Sequence, residues 1–244
     1  MASLAMMVAC TVPAAGQGLA PKQAQPYLPP SAIQAAARQL PPPPAPGSAA
    51  ERADRAAYAN AAAGIGGRDW QRAKAQRSVN LPDYRRQLSC SFGKQLDAKL
   101  TPRLYTLVSR SAQDAAHASN AAKAAFARRR PFTTDGGEAC DLMGRPGKPA
   151  KPGYAYPSGH ATISALWALI LSDVAPARSA DLDAFARDTG NLRVVCRVHW
   201  PSDVAAGRNL AALLHRQIAA SPAYRADLAK AKAEFAEAPP AYFC

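Results

Sequence analysis

The sequence predicts an all-α, single-domain helical bundle. Apolar residues recur at three- and four-residue spacing along several long stretches, and no convincing alternating strand pattern occurs. Serine or proline stands where many of these stretches begin, and glycine or proline where several end. The chain has 244 residues, 48% of them hydrophobic, enough to bury one sizeable core, and it carries no internal repeat.

Residues 1–20 read as a processing segment. Leu4–Val12 is apolar and is followed by the small-residue stretch Pro13-Ala14-Ala15-Gly16, like the core and cleavage zone of a secretory signal, although nothing positive precedes Lys22. Met7-Val8-Ala9-Cys10 loosely resembles a lipoprotein cleavage box, so lipid anchoring is the lesser alternative to soluble export. Residues 21–47 are proline-rich, with Pro29-Pro30 and Pro41–Pro44 as fixed points, and read as an extended polyproline arm. The helical domain is placed at 48–238, with a short tail at 239–244. Ser48 and Glu51 form a capping-box pair that opens a helix to about Ala63, where Gly64, Gly66 and Gly67 stop it. Further helices are expected over Asp69–Ser78, Pro82–Phe92 and Pro102–Arg128, the last ended by Pro131. Residues 132–156, rich in glycine and proline, form a long irregular loop. Helices resume at Ser158–Ala175, Ser179–Val198, Pro201–Ala219 and Pro222–Ala236. No apolar run reaches the roughly 18–20 residues that span a bilayer; Ile163–Leu171 is too short and reads as a buried helix.

The net charge of +13 favours anionic partners. The cations are scattered, and their one tight cluster, Arg128-Arg129-Arg130, is short for a nucleic-acid arm, so no nucleic-acid partner is expected. The five cysteines include no CxxC pair, which sets aside zinc-finger and thioredoxin motifs. If Cys10 leaves with the leader, Cys90, Cys140, Cys196 and Cys244 allow two disulfides in three pairings. Cys140, in the Gly-rich loop, is the cysteine most expected to be bridged, its partner left open.

Three sets of residues carry chemistry. Lys123 and Arg130 are two helical turns apart and would share one face, a mobile point charge beside a planar fork for phosphate oxygens; alone, the pair also suits a solvated basic face. Pro157-Ser158-Gly159-His160 stands at a helix start, where free N–H groups and the helix dipole make an anion site; alone, it also suits an ordinary cap with a surface histidine. Arg193, His199 and Asp203 follow. His199 and Asp203 are at i and i+4, so the carboxylate can hold one imidazole nitrogen and leave the other free; the pair also has metal-ligand spacing, but a zinc site would want more ligands. His117 and His215 belong to no motif and read as surface helix residues.

Lys-x6-Arg-Pro, Pro-Ser-Gly-His and Arg-x5-His-x3-Asp, in this order, resemble the signature of the type 2 phosphatidic acid phosphatase superfamily, which includes the vanadium haloperoxidases. Within it the chain is most similar to bacterial class A non-specific acid phosphatases, over roughly residues 40–236. The resemblance implies that superfamily's helical bundle and a periplasmic or secreted acid phosphatase acting on small phosphomonoesters. It implies no cofactor and no metal, inhibition by vanadate, and leaves a homo-oligomer open. By the same resemblance His199 is the nucleophile that forms a phosphohistidine, Asp203 orients it, and His160 is the general acid and base. Lys123, Arg130, Ser158, Gly159 and Arg193 bind the phosphate. Two departures stand out: Leu192 replaces the family's serine before Arg193, and Arg197 replaces its usual glycine, where a bulky cation could obstruct the pocket or help bind substrate. They motivate the alternative of a catalytically impaired anion-binding member. Haloperoxidase and membrane lipid phosphatase are disfavoured by the short chain and the missing spanning helices.

Overall fold

A computed structural model describes residues 25–77, 81–141, 153–242 and 244, with the backbone alone at 81–83. The expected leader and residues 142–152 of the expected long loop lie outside the described residues. Among those described, the elements are helices, with one isolated bridge between Lys94 and Pro240. In chain order they are α1 (Pro30–Arg38), α2 (Ala49–Asn60), α3 (Arg68–Ala75), α4 (Leu81–Phe92), α5 (Pro102–Phe126), α6 (Pro131–Thr134), α7 (Gly159–Val174), α8 (Ser179–Val195), α9 (Pro201–Ala219) and α10 (Pro222–Glu237).

The core is built around α7. Its sequence is apolar on almost every side, and a helix of that kind has to be enclosed. Helices α5, α8 and α9 pack around it, and α1 and α10 cover α5 from outside. Trp167 of α7 is fully buried and satisfies its indole N–H on the Val108 carbonyl of α5 at 3.0 Å, so its polar atom does not oppose its burial. Side chains such as Trp167, Leu166, Ile170 and Leu171 each contribute about 1.5–3 kcal/mol by leaving water.

Helix α1 corrects the polyproline expectation for residues 21–47. Pro30 occupies the first helical turn, where its missing N–H is harmless and its fixed φ favours helix. Ile33, Ala36 and Ala37 are buried in the main core with Tyr27 and Leu28, and the carboxylate of Asp114 in α5 accepts both the Tyr27 and Leu28 N–H groups at 2.9 Å. Pro41–Pro44 carry no regular structure, although the Pro41 carbonyl accepts the Tyr156 hydroxyl at 2.7 Å.

Other boundaries moved for local reasons. Ser48 caps α2 as expected through its hydroxyl and the Glu51 N–H, but the Glu51 carboxylate returns to the N–H of Gly47 rather than that of Ser48. Helix α5 stops at Phe126 because Ala127 turns left-handed with φ +48°, so it never reaches Arg128. Helix α8 ends at Val195 instead of Val198. Two disulfides are present, Cys140–Cys196 and Cys90–Cys244; the first supplies the partner that the sequence left open, and the second ties the C-terminus to α4.

Close approach of α9 to the start of α7 requires Gly207. A Cβ there would lie 2.6 Å from the Ser158 carbonyl oxygen and 3.0 Å from Ala161 Cβ. Gly207→Ala is expected to destabilise the protein by about 1–3 kcal/mol, read as a lower Tm and denaturation midpoint, because neither contact is the free end of a flexible side chain.

Candidate active site

The site lies where four stretches of chain meet: the end of α5 with the segment to α6, the start of α7, the end of α8, and the turn into α9. Ser158 caps α7, its hydroxyl accepting the Ala161 N–H, while its own N–H donates to the Asp203 carbonyl at 2.9 Å. That bond fixes the first turn of α7 against the first turn of α9. Gly159 and His160 follow as first-turn residues, whose N–H groups the helix cannot satisfy itself.

His199 is buried just ahead of α9, with Trp200 as the cap and Pro201 as the first helical residue. Asp203, in the first turn, accepts the Trp200 N–H at 2.8 Å through Oδ2, the same oxygen that lies 3.3 Å from His199 Nδ1. The expected histidine–carboxylate contact therefore forms, through a helix cap rather than across one helical face. Because the carboxylate accepts from Nδ1, the lone pair of His199 is on Nε2, 3.2 Å from Arg130 Nη1.

The shared-face argument for Lys123 and Arg130 is overturned, since α5 ends between them. They are brought together by the turn at Ala127 instead, and each influences the other and His199 electrostatically. Lys123 Nζ donates to the carbonyls of Tyr154 and Ala155 at 3.2 and 3.3 Å and to that of Pro157, so it acts on the site as a charge held in a carbonyl nest. Arg130 donates to the Val198 carbonyl at 2.8 Å. Arg193 is fully buried and donates Nη2 to the Ala73 carbonyl of α3 at 2.6 Å; its Nε and Nη1 have no partner among the described residues. Buried guanidinium donors without acceptors are costly, which marks a place for an anion. His160 donates Nε2–H to the Gln76 carbonyl just after α3, at 3.1 Å.

Electrostatics follow from the crowding of cations. Burial first, then Arg193, His199 and Arg130, holds the His160 imidazole well below its ordinary pKa. Burial first, then Arg130, Lys123 and Arg193, does the same to His199. Lys123 falls to about 7, chiefly by burial, and Arg130 to about 10 for the same reason. Asp203 is pushed up by burial and pulled back most by Arg128.

The structure thus brings Lys123, Arg130, Ser158, Gly159, His160, Arg193, His199 and Asp203 into one region. His117 is exposed as expected, but His215 is not a lone surface residue: its Nε2 lies 2.8 Å from Asp173 Oδ2, and Asp173 also accepts the Tyr224 hydroxyl. Among the described residues, Arg197 neither obstructs nor lines the site by any contact that it makes. Its φ of +62° is left-handed, the conformation that favours glycine, and its guanidinium stacks 4.1 Å over Tyr58 and donates to the Glu138 carbonyl at 3.0 Å. Leu192 is buried in a small apolar cluster with Ala73, Ala139, Cys196 and Val198 and offers the site no hydroxyl. Sequence reasoning did not single out Arg128 and Asp54 as site residues, nor the Ala73 and Gln76 carbonyls; no spacing rule joins them to His199.

Comparison with known proteins finds a family and relatives for this chain. A family model described as the PAP2 superfamily matches residues 104–226. The non-specific acid phosphatase of Salmonella typhimurium is 31% identical over 196 residues, covering 80% of this chain and 78% of the relative. That of Providencia stuartii is 31% identical, covering 81% and 79%, and the acid phosphatase of Zymomonas mobilis is 30% identical, covering 82% and 75%.

The lowered Lys123 pKa has a measurable consequence. Sulfate keeps its charge across this range, so its affinity for the site should fall as Lys123 loses its proton above pH 7, by at most about tenfold per pH unit for one linked proton. Calorimetric titration between pH 5 and 9 checks this; Lys123→Met should bind sulfate more weakly at pH 6 and lose the slope above pH 7.

Proposed function

The chain belongs to the PAP2 superfamily and is an acid phosphatase, and we propose that it hydrolyses phosphate monoesters through a phosphohistidine on His199, with cationic side chains in place of a metal. The observation that carries this reading is the pairing of a carboxylate-backed imidazole with a buried guanidinium, Arg193, whose Nε and Nη1 lack acceptors among the described residues.

In the first step His199 Nε2 forms a bond to phosphorus as the P–O ester bond breaks, and the leaving alkoxide takes a proton from His160. In the second, water attacks the phosphohistidine, gives a proton to His160, and the P–N bond breaks, returning His199 as a neutral imidazole. With Nε2–H held on the Gln76 carbonyl, His160 exchanges this proton through Nδ1. The equatorial oxygens gather charge during both steps, and Arg130, Arg193, Lys123, Ser158 and the first-turn N–H groups of α7 are the groups available to stabilise it. In the empty site, burial and neighbouring cations hold His160 neutral; an arriving phosphate dianion opposes the cations and raises its pKa, so substrate binding itself charges the acid. Turnover then favours acidic pH, where His160 protonates readily. The two disulfides favour an oxidising compartment, in keeping with a periplasmic or secreted enzyme. Because Leu192 lacks the hydroxyl that the family carries there, a slower enzyme than its relatives is expected.

Hydrolysis of p-nitrophenyl phosphate at pH 5–6 should survive chelators and be inhibited by vanadate. His199→Ala should lower kcat by about 10⁴-fold or more, and Arg130→Ala by about 10²–10³-fold. Labelled substrate should leave acid-labile, base-stable phosphate on His199. Label on Ser158 would overturn the mechanism, and sulfate binding without any turnover would favour the impaired binder.

A further inference from the structure

We propose that Arg128, clamped by Asp54 and Ser202, is the positioning residue that keeps the Asp203 carboxylate ionised and aimed at His199 in acid. The inference rests on the reading of His199 as nucleophile and deepens it.

Asp203 is fully buried. Its Oδ2 is occupied by the Trp200 N–H and His199 Nδ1, and its Oδ1 takes Arg128 Nη1 at 2.7 Å. The other arm of the same guanidinium, Nη2, donates to Asp54 Oδ2 at 2.8 Å, and Nη1 also reaches the Ser202 hydroxyl at 2.7 Å. Ser202 closes the ring by donating its hydroxyl to Asp54 Oδ2 and its N–H to Asp54 Oδ1 at 3.0 Å. The guanidinium lies 5.4 Å from the centre of the Trp200 ring. Asp54 is buried in α2, so a helix remote in sequence from the site fixes the partner of Asp203.

The charges around Asp203 come from several elements. Lys123 from α5, Arg130 ahead of α6 and Arg128 between them are positive; the His199 imidazole and the Tyr156 hydroxyl complete its titratable surroundings. Lys123 is committed to backbone carbonyls and Arg130 to the Val198 carbonyl and His199. Arg128 is the cation in direct contact with the carboxylate. A carboxyl buried this completely would otherwise take up a proton in acid, the range in which an acid phosphatase works, and a neutral carboxyl holds the Nδ1–H of His199 weakly.

The test compares the pH profiles of kcat/KM for the wild type, Arg128→Met, Arg128→Lys and Asp54→Asn. Arg128→Met should move the acid limb upward by about one pH unit or more and lose more activity at pH 5 than at pH 7. Arg128→Lys should restore the limb while keeping part of the loss in kcat. Asp54→Asn leaves the guanidinium charge beside Asp203, so its limb should stay in place while kcat falls, and it serves if Arg128→Met does not fold. An even loss across pH in Arg128→Met, or a limb in Arg128→Lys displaced as far as in Arg128→Met, would overturn the proposal. A readout without turnover separates it from the phosphatase mechanism. The downfield Nδ1–H resonance of His199 should persist at pH 5 in the wild type and be lost there in Arg128→Met. Retention in both the wild type and Arg128→Met would also overturn it, even if the wild type hydrolyses no ester.

Discussion

Three cations, Lys123, Arg130 and Arg193, act on two imidazoles in a buried site, and the described chain must hold them there before any anion arrives. Burying an uncompensated cation is expensive. The protein meets this mostly with backbone: carbonyls from Tyr154, Ala155 and Pro157 hold Lys123, that of Val198 holds Arg130, and that of Ala73 holds Arg193. Arg128, by contrast, is held by the carboxylates of Asp54 and Asp203. A carbonyl orients a cation without cancelling its charge, so the site remains positive and its imidazoles are held well below their ordinary pKa.

This requirement explains features of the fold that core packing alone would not demand. The C-terminal end of α3 is placed so that the Ala73 and Gln76 carbonyls meet Arg193 and His160, and the small apolar cluster of Ala73, Leu192, Cys196 and Val198 binds that end to α8. Gly207 lets α9 press on the start of α7, and the Ser158 N–H joins the Asp203 carbonyl across that contact. The turn that starts α7 and the turn that carries His199 are thus one mechanical unit. The Cys140–Cys196 bridge lies beside it, between the segment after α6 and the end of α8.

Much of the helical frame could be read from local chemistry. Proline at first helical turns, the Ser48 cap and the unbroken apolar run of α7 are signals that depend on neighbouring residues only, and the helices they announce are present. Where reading failed, one local signal competed with another. Pro29-Pro30 suits both polyproline chain and a helix start, and burial of Ile33, Ala36 and Ala37 against the core decided for helix. Alanine gives no warning of a left-handed turn, so the end of α5 at Ala127 was missed, and the shared-face argument for Lys123 and Arg130 fell with it.

By itself, the sequence determined the all-α class and most helix starts and singled out the eight residues that the fold gathers in one region, because residue type, spacing and capping act within a few residues of chain. Tertiary structure alone decided the pairing of Cys140 with Cys196, the stacking of Arg197 on Tyr58, and the clasp of Asp54 and Arg128 on Asp203. Those depend on which distant surfaces meet when the helices pack, and contact between α2 and the start of α9 has no signature in the residues of either one.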